Sequence, residues 1–427
     1  MLSLRFLYNT PVGTLITNFS NKGENSDKVV PYSNVTTSGD ADLDEYLSNI
    51  PKAQLFKGIW LQGYLVPPTI LESLENFEIR SDDVFIVTYP KSGTTWTEEI
   101  LSLIYNNGDV EKVENTLLNF RVEHLEVGRV FGHLRHLKNM KSPRLMATHL
   151  PFHSLPKQLR RPKCKIIYVA RNPKDNAVSY YHHHKMSTFL GNFRGSWEKF
   201  LSYYMKGHLV YGSWFDHVLS YWEFYLSHPD KVLFITFEEL KIDLPEMISR
   251  ISNFVGCPIS SEAIQRISEH CTFEKMKTNA MVNREVLPIH DLFDMTQSKF
   301  MRKGIIGDWK NYFSPEQNES FDRLYRNRMK DSGLNLAFEP EDAFSRMKEH
   351  GRIVVITPDL FLTRKGYEYD KLDLDTPEYI ENKKENKNRT ELDRDRSDAN
   401  LMRNRCRCFI PSFHPHFQPD ILGLDVF

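Results

Sequence analysis

Three short apolar runs, set among longer amphipathic stretches, constrain this chain more than any other feature. "VFIVTY" (84–89), "KIIYVA" (165–170) and "VLFITF" (232–237) are dense in β-branched and aromatic residues. Runs of that length and content read as strands covered on both faces, as in parallel sheets. Around them, residues 96–106, 174–185, 196–206, 213–227 and 244–254 read as helices. Strand and helix in alternation imply an α/β fold, a parallel sheet flanked by helices on both faces. The alternation places one domain at 46–340.

The flanks read differently. Residues 1–45 are polar and rich in Ser, Asn and Thr, which predicts a poorly ordered N-terminal extension. The first 28 residues hold one Arg and no acid before Glu24, a faint transit-peptide character, but their interrupted apolar residues favour a loose extension. Residues 341–427 are expected to be a largely disordered C-terminal extension: 370–398 mix charges of both signs without a period, and "RIVVITPDLF" (352–361) suggests one isolated strand.

The first strand runs into a phosphate-loop-like turn, "YPKSGTTW", and then into a helix. A helix starting near Thr95 leaves its first amides unpaired and turns the positive end of its dipole to the loop. Gly93 admits a close backbone approach, Thr94 and Thr95 add hydroxyls, and Lys91 adds a full charge. Together these residues define an anion site. The nucleoside-triphosphate signature G-x-x-x-x-G-K-[ST] is absent, because here the Lys precedes the Gly. Alone, Ser-Gly-Thr is equally an ordinary N-cap turn.

Three further segments carry chemistry. Arg171 ends the second strand, where ligands of open α/β sheets bind, and Ser179 follows in the next helix. Arg grips a phosphate with two parallel bonds and Ser adds a third; the plain alternative is a surface ion pair and a neutral helix residue. Arg302 and Lys303 beside Gly304 place two cations where the backbone permits approach, or else form a solvated basic turn. His149, in "RLMATHLPF", is a candidate proton acceptor, though a lone His is commonly structural.

Composition narrows the classes. A formal net charge of −1 gives no global basic field for nucleic acid or an anionic membrane surface. Five scattered Cys argue against a disulfide framework and for a reducing compartment. Cys406-x-Cys408 lacks the second pair a zinc site needs, and His182, His183 and His184 point about 100° apart on a helix, so no metal is expected.

The order and content of these segments closely resemble the cytosolic sulfotransferase family over roughly residues 46–338. "TYPKSGTTW" is similar to its 5′-phosphosulfate loop and "RKGIIGDWKNYF" to its 3′-phosphate segment, with "THLP" and "RNPKDNAVSYY" between them. The resemblance implies transfer of a sulfuryl group from 3′-phosphoadenosine 5′-phosphosulfate (PAPS, leaving PAP) to a hydroxyl or amine of a small lipophilic acceptor, in the cytoplasm. It implies that Lys91, Ser92, Gly93, Thr94 and Thr95 hold the phosphosulfate. Arg171, Ser179, Arg302, Lys303 and Gly304 would hold the 3′-phosphate, and Trp96, Phe237, Phe273 and Met301 would meet the adenosine. His149 would be the general base, with Lys91 stabilising the leaving charge. His124, Phe131 and Phe152 would line the acceptor pocket.

Departures from the family pattern are Phe237 for Tyr, Ala147 for a Lys two residues before His149, His124 for an aromatic, and Pro315 for Val in the dimer segment, Lys310–Glu319. A homodimer is implied only as far as Pro315 permits. The rival readings are a nucleotide kinase with an unusual phosphate loop, and a binder on this fold without turnover.

Overall fold

The computed structural model describes residues 29–31, 38–128, 132–285 and 292–354. Its centre is a five-stranded, all-parallel sheet. With β1 (Val30–Pro31), β2 (Ala53–Phe56) and β3 (Ile59–Gln62) forming a small antiparallel sheet, the central strands are β4 (Val84–Thr88), β5 (Glu123–His124), β6 (Leu145–Thr148), β7 (Lys165–Ala170) and β8 (Val232–Thr236), in the order β5-β6-β4-β7-β8. Val84 is in register with Leu145 on one side and Lys165 on the other, and Ile166 with Val232. The three predicted strands are the three inner-to-edge strands β4, β7 and β8. The sequence reading missed β5 and did not define β6, four residues of which only Leu145 and Met146 are large and apolar.

Side-chain alternation gives the sheet two unlike faces. Val84, Ile86, Ile167, Val169, Leu233 and Ile235 point into an aliphatic core. That core is closed by α1 (Thr94–Tyr105), α6 (Leu244–Phe254) and α7 (Ser261–His270), through residues such as Ile100, Ile248 and Ile267. On the opposite face Tyr168 stacks on Phe234 at 5.0 Å and on Tyr221 at 4.6 Å. This aromatic layer belongs with α2 (Pro173–Met186), α3 (Trp197–Lys206) and α4 (Trp214–Ser227). The remaining helices used below are α5 (Phe237–Ile242), α8 (Phe273–Thr278), α9 (Pro315–Met329) and α10 (Pro340–His350).

The five predicted helices all appear, with ends within about two residues of expectation. At the flanks the chain is ordered further than composition suggested. A helix, Ala41–Ser48, begins before residue 46 and buries Tyr46 and Leu47. Beyond 340, α10 buries Ala343 and Met347 with Ile306, Ala337 and Ile353. Arg352 donates to Glu239 at 2.6 Å and to the Phe234 carbonyl at 2.6 Å. The suggested strand at 352–361 lies mostly outside the described residues. Pro315 occupies the first turn of α9 behind Ser314, which forms a capping box with Gln317. At that position the missing N–H is one the helix would leave unpaired anyway, so Pro315 costs the chain nothing locally.

Candidate active site

Each side chain of interest lies at the C-terminal edge of the parallel sheet, where strand ends leave a crevice. β4 ends at Thr88, and the chain turns through Lys91, at a left-handed φ of 70°, and Gly93, at φ 112°, into α1. A positive φ at a lysine is uncommon and persists only where its surroundings hold it. Here Asn176 of α2 donates to the Pro90 carbonyl at 2.9 Å and to Ser92 Oγ at 3.1 Å, clamping the loop. The first helical bond runs from Thr97 N–H to the Gly93 carbonyl, so the amides of Thr94, Thr95 and Trp96 precede it. A Cβ on Gly93 would press on the Phe237 ring at 3.3 Å.

Cations crowd this loop. Burial, together with the charges of Arg171, Arg284 and Arg302, pulls the Lys91 ammonium down to a pKa of about 7. Arg171 is buried, donates to the Lys91 carbonyl at 3.2 Å and the Ile305 carbonyl at 3.3 Å, and stacks on Phe237 at 4.3 Å. Its Nε is buried with no partner. Arg302 and Lys303 both donate to buried Asp308, at 2.5 Å and 2.6 Å. Gly304, at φ 62°, lies flat under Phe273, and a Cβ there would come within 2.4 Å of that ring. Trp96 meets Phe237 edge-on at 5.5 Å and donates to the Cys271 carbonyl at 2.9 Å. Met301 is half-buried against the aliphatic core, and Ser179 is half-buried on α2.

His149 follows β6. Its Nδ1 lies 2.9 Å from the Thr88 carbonyl and 3.1 Å from Thr88 Oγ1, which in turn meets Thr94 Oγ1 at 2.7 Å. A carbonyl only accepts, so Nδ1 carries the hydrogen and Nε2 the lone pair. Burial, and then the electrostatic influence of His124 beside it, lowers the His149 pKa to about 3, so the ring is neutral throughout the physiological range. Its backbone N–H donates to Glu126 at 2.8 Å, and Tyr211 meets its ring at 5.5 Å.

The contacts above join Lys91, Thr94, Trp96, Arg171, Phe237 and His149 around the loop. They set Gly304 against Phe273 and tie Arg302 and Lys303 to Asp308, and Phe152 does not join them. Phe152 is turned into the aromatic layer, 4.6 Å from Phe224 and 6.0 Å from Tyr221. Phe131 lies outside the described residues. The three consecutive imidazoles separate as expected of helix positions: His182 meets Tyr312 at 2.7 Å, His183 packs among Phe189 and Phe293, and His184 meets Tyr46 at 2.9 Å. Sequence reading missed Asn176, Asp308, Glu98, Glu126, Tyr211 and Arg284. Glu98 and Glu99 gave a usable signal, since two acids in a helix that follows a buried strand need buried partners. Arg284 gave none, being 186 residues from Glu98 in sequence yet 3.6 Å away in space.

Comparison with known proteins agrees with this geometry. A family model described as a sulfotransferase domain matches residues 81–333. Sulfotransferase 1B1 of Canis lupus familiaris is 43% identical over 299 residues, which is 68% of this chain and 99% of that protein. Among solved structures, retinol dehydratase in complex with androsterone and the inactive cofactor PAP superposes with a TM-score of 0.61 at 28% identity, covering 69% of this chain and 96% of that one. Mouse sulfotransferase SULT7A1 complexed with PAP gives 0.55 at 33% identity, over 70% and 100%. The chain belongs to the sulfotransferase family. It is a PAPS-dependent sulfotransferase. Among the described residues, no helix is long and apolar enough to cross a membrane.

Proposed function

We propose that this enzyme transfers the sulfuryl group in line to the hydroxyl, or amine, of a small lipophilic acceptor in the cytoplasm, with His149 as general base. The observation that carries the reading is the meeting, around Thr88, of a neutral imidazole whose Nε2 holds the lone pair and a loop crowded by cations.

The residues fit an adenosine bisphosphate. Arg171 has a buried N–H without a partner, and Lys91 is held below its usual pKa by burial and by the charges of Arg171, Arg284 and Arg302. Gly93 and Gly304 leave their Cβ space to a ligand or ring. Lys91 to Thr95 would then hold the 5′-phosphosulfate, and Arg171, Ser179, Arg302, Lys303 and Gly304 the 3′-phosphate. Trp96 and Phe273 would flank the adenine, with Phe237 and Met301 at its edge. PAPS supplies a sulfuryl group on a phosphate that leaves readily. Lys91 and the first amides of α1 stabilise the charge growing on that phosphate oxygen. His149 Nε2 takes the acceptor proton, and no covalent intermediate with the chain is needed.

The acceptor class rests on the rings beside His149 and on the androsterone and retinol complexes of the related retinol dehydratase. Pairing with a second copy through Lys310–Glu319 is a separate expectation, read by light scattering on the purified protein. The central test is a thermal-shift titration with PAP beside ATP and Mg²⁺, followed by transfer of labelled sulfuryl to a panel of phenols, steroids and primary alcohols. PAP at about 100 times its Kd should add roughly 2.7 kcal/mol of stability. A shift with ATP alone, or labelled donor consumed without a sulfated acceptor, would overturn the reading.

A further inference from the structure

The reaction as written leaves His124 without a task. It ends the edge strand β5, in register with Ala147 on β6, two residues before His149. Its strand neighbour contributes only a methyl, and its ring lies 5.4 Å from the His149 ring. At that separation one oxygen can sit about 3 Å from a nitrogen of each ring.

The two nitrogens of His124 differ sharply. Nε2 meets Glu98 Oε1 at 2.8 Å; Glu98 is 1% exposed and is backed by Arg284 at 3.6 Å. Nδ1 is buried and has no partner. Burial pushes the His124 pKa down, but the charge and hydrogen bond of Glu98 outweigh it and the net direction is up. Glu98 itself is held below the usual carboxylate range: burial opposes this, and His124 and Arg284 override it. A ring protonated on both nitrogens presents at Nδ1 a buried donor with no acceptor, which is costly unless a ligand atom accepts it.

We propose that His124 is a second catalytic residue of the acceptor site, its Nδ1–H donating to the same acceptor oxygen that His149 deprotonates, so that the pocket selects phenolic hydroxyls over aliphatic ones. This deepens the reading of the site given above and rests on it. The acceptor O–H bond breaks, its proton passes to His149 Nε2, and its electron pair forms the new O–S bond. The S–O bond to the nucleotide phosphate breaks, and that pair stays on the phosphate oxygen. His124 keeps both protons throughout and acts as a fixed cation next to the oxygen that becomes negative. A phenol releases its proton several pH units more readily than an aliphatic alcohol, so a cation beside the oxygen brings the phenol, and not the alcohol, within reach of ionisation in the site. The titratable and charged groups facing His124 are Glu98 on α1, Arg284, Glu126 two residues on, and the neutral His149; His133 donates to its backbone carbonyl.

The test compares wild type with His124→Phe, which keeps a ring and removes both nitrogens. The probe is 4-nitrophenol bound to the protein–PAP complex at pH 6.5, read by the visible absorbance of its anion. Wild type should bind it as the phenolate and His124→Phe as the neutral phenol. In turnover, His124→Phe should lose about 10²-fold in kcat on substituted phenols, with KM for PAPS unchanged and benzyl alcohol nearly unaffected. Glu98→Gln should move both readouts the same way. Unchanged absorbance, or equal losses on phenols and benzyl alcohol, overturns the proposal. The PAP thermal shift is the separate readout: its absence in wild type would strike the sulfotransferase reading, while its presence in both proteins leaves any loss to His124 alone.

Discussion

The Nδ1 of His149 lies 2.9 Å from the carbonyl oxygen of Thr88, the residue that ends the strand feeding the anion loop. One peptide group thus sets the tautomer of the proposed base, and the chain it belongs to goes on to place Lys91. On the mechanism proposed above, replacing His149 removes the base and leaves every side chain of the nucleotide loop in place. His149→Ala should reduce kcat by about 10²- to 10⁴-fold and leave the PAP thermal shift within error of wild type. Loss of the shift together with activity would mean that the ring is structural. Because its pKa of about 3 lies far below neutral, protonation of His149 should not limit activity between pH 5 and 8.

Lys91 gives the pH dependence instead. In the free protein its pKa is about 7, pulled down by burial and then by Arg171, Arg284 and Arg302. A bound phosphate raises it again, so binding above pH 7 takes up a proton. PAP affinity should therefore increase as pH falls from 8.5 towards 7 and level off below. Calorimetry at pH 8 in two buffers of different ionisation heat should show uptake approaching one proton, and Lys91→Arg, charged at every pH, should abolish it. The same shift acts on stability without ligand. Between about pH 7 and the ordinary lysine pKa of 10.5 the unfolded chain holds a proton that the folded one does not. The penalty is full below pH 7 and is relieved as pH rises.

How far these features could be read from sequence depends on whether the deciding contact is local. β4, β7 and β8 announced themselves because both their faces are buried, and the loop announced itself because strand, small residues and helix are adjacent. Two-residue β5 has no period to detect, yet it delivers His124. Glu98, His124 and Arg284 come from three distant segments, so their meeting follows from topology alone. Phe152, packed against Tyr221 and Phe224, shows the converse: an aromatic three residues after His149 can turn into the core.

Arg171 separates a nucleotide site from a general anion site. Its unpaired Nε and its stacking on Phe237 fix the guanidinium where a single phosphate is expected. Arg171→Ala should weaken PAP by about 10²-fold or more, and adenosine 5′-phosphate, which lacks the 3′-phosphate, by much less. Equal losses, measured by calorimetry, would remove Arg171 from that role.

Gly304 is a steric test of the same subsite. At φ 62° with Phe273 across it, an added Cβ costs about 1–2 kcal/mol of backbone strain and drives the ring away. Gly304→Ala should lower urea stability by that amount and raise the Kd for PAP, while Gly351→Ala, also at positive φ but with open space around it, should pay the strain without affecting PAP.

The segment after residue 340 packs against the chain just beyond the proposed 3′-phosphate turn. Ile306, two residues beyond Gly304, packs with Ala343, Met347 and Ile353, and Arg352 with the Ile353 amide satisfies Glu239, which is fully buried at the start of α5. Arg352→Ala leaves a buried carboxylate with one bond fewer. It should lower stability by on the order of 2 kcal/mol, discounted because Arg352 is itself partly exposed. A chain ending at Phe338 loses Ala343, Met347 and Ile353 from the cluster and should be less stable still, with weaker PAP binding because Ile306 no longer holds the Arg302–Gly304 turn. A chain ending at Val354 should match full length in urea midpoint and in PAP affinity. If the chain ending at Phe338 binds PAP as tightly as that ending at Val354, the coupling between α10 and the 3′-phosphate turn does not exist.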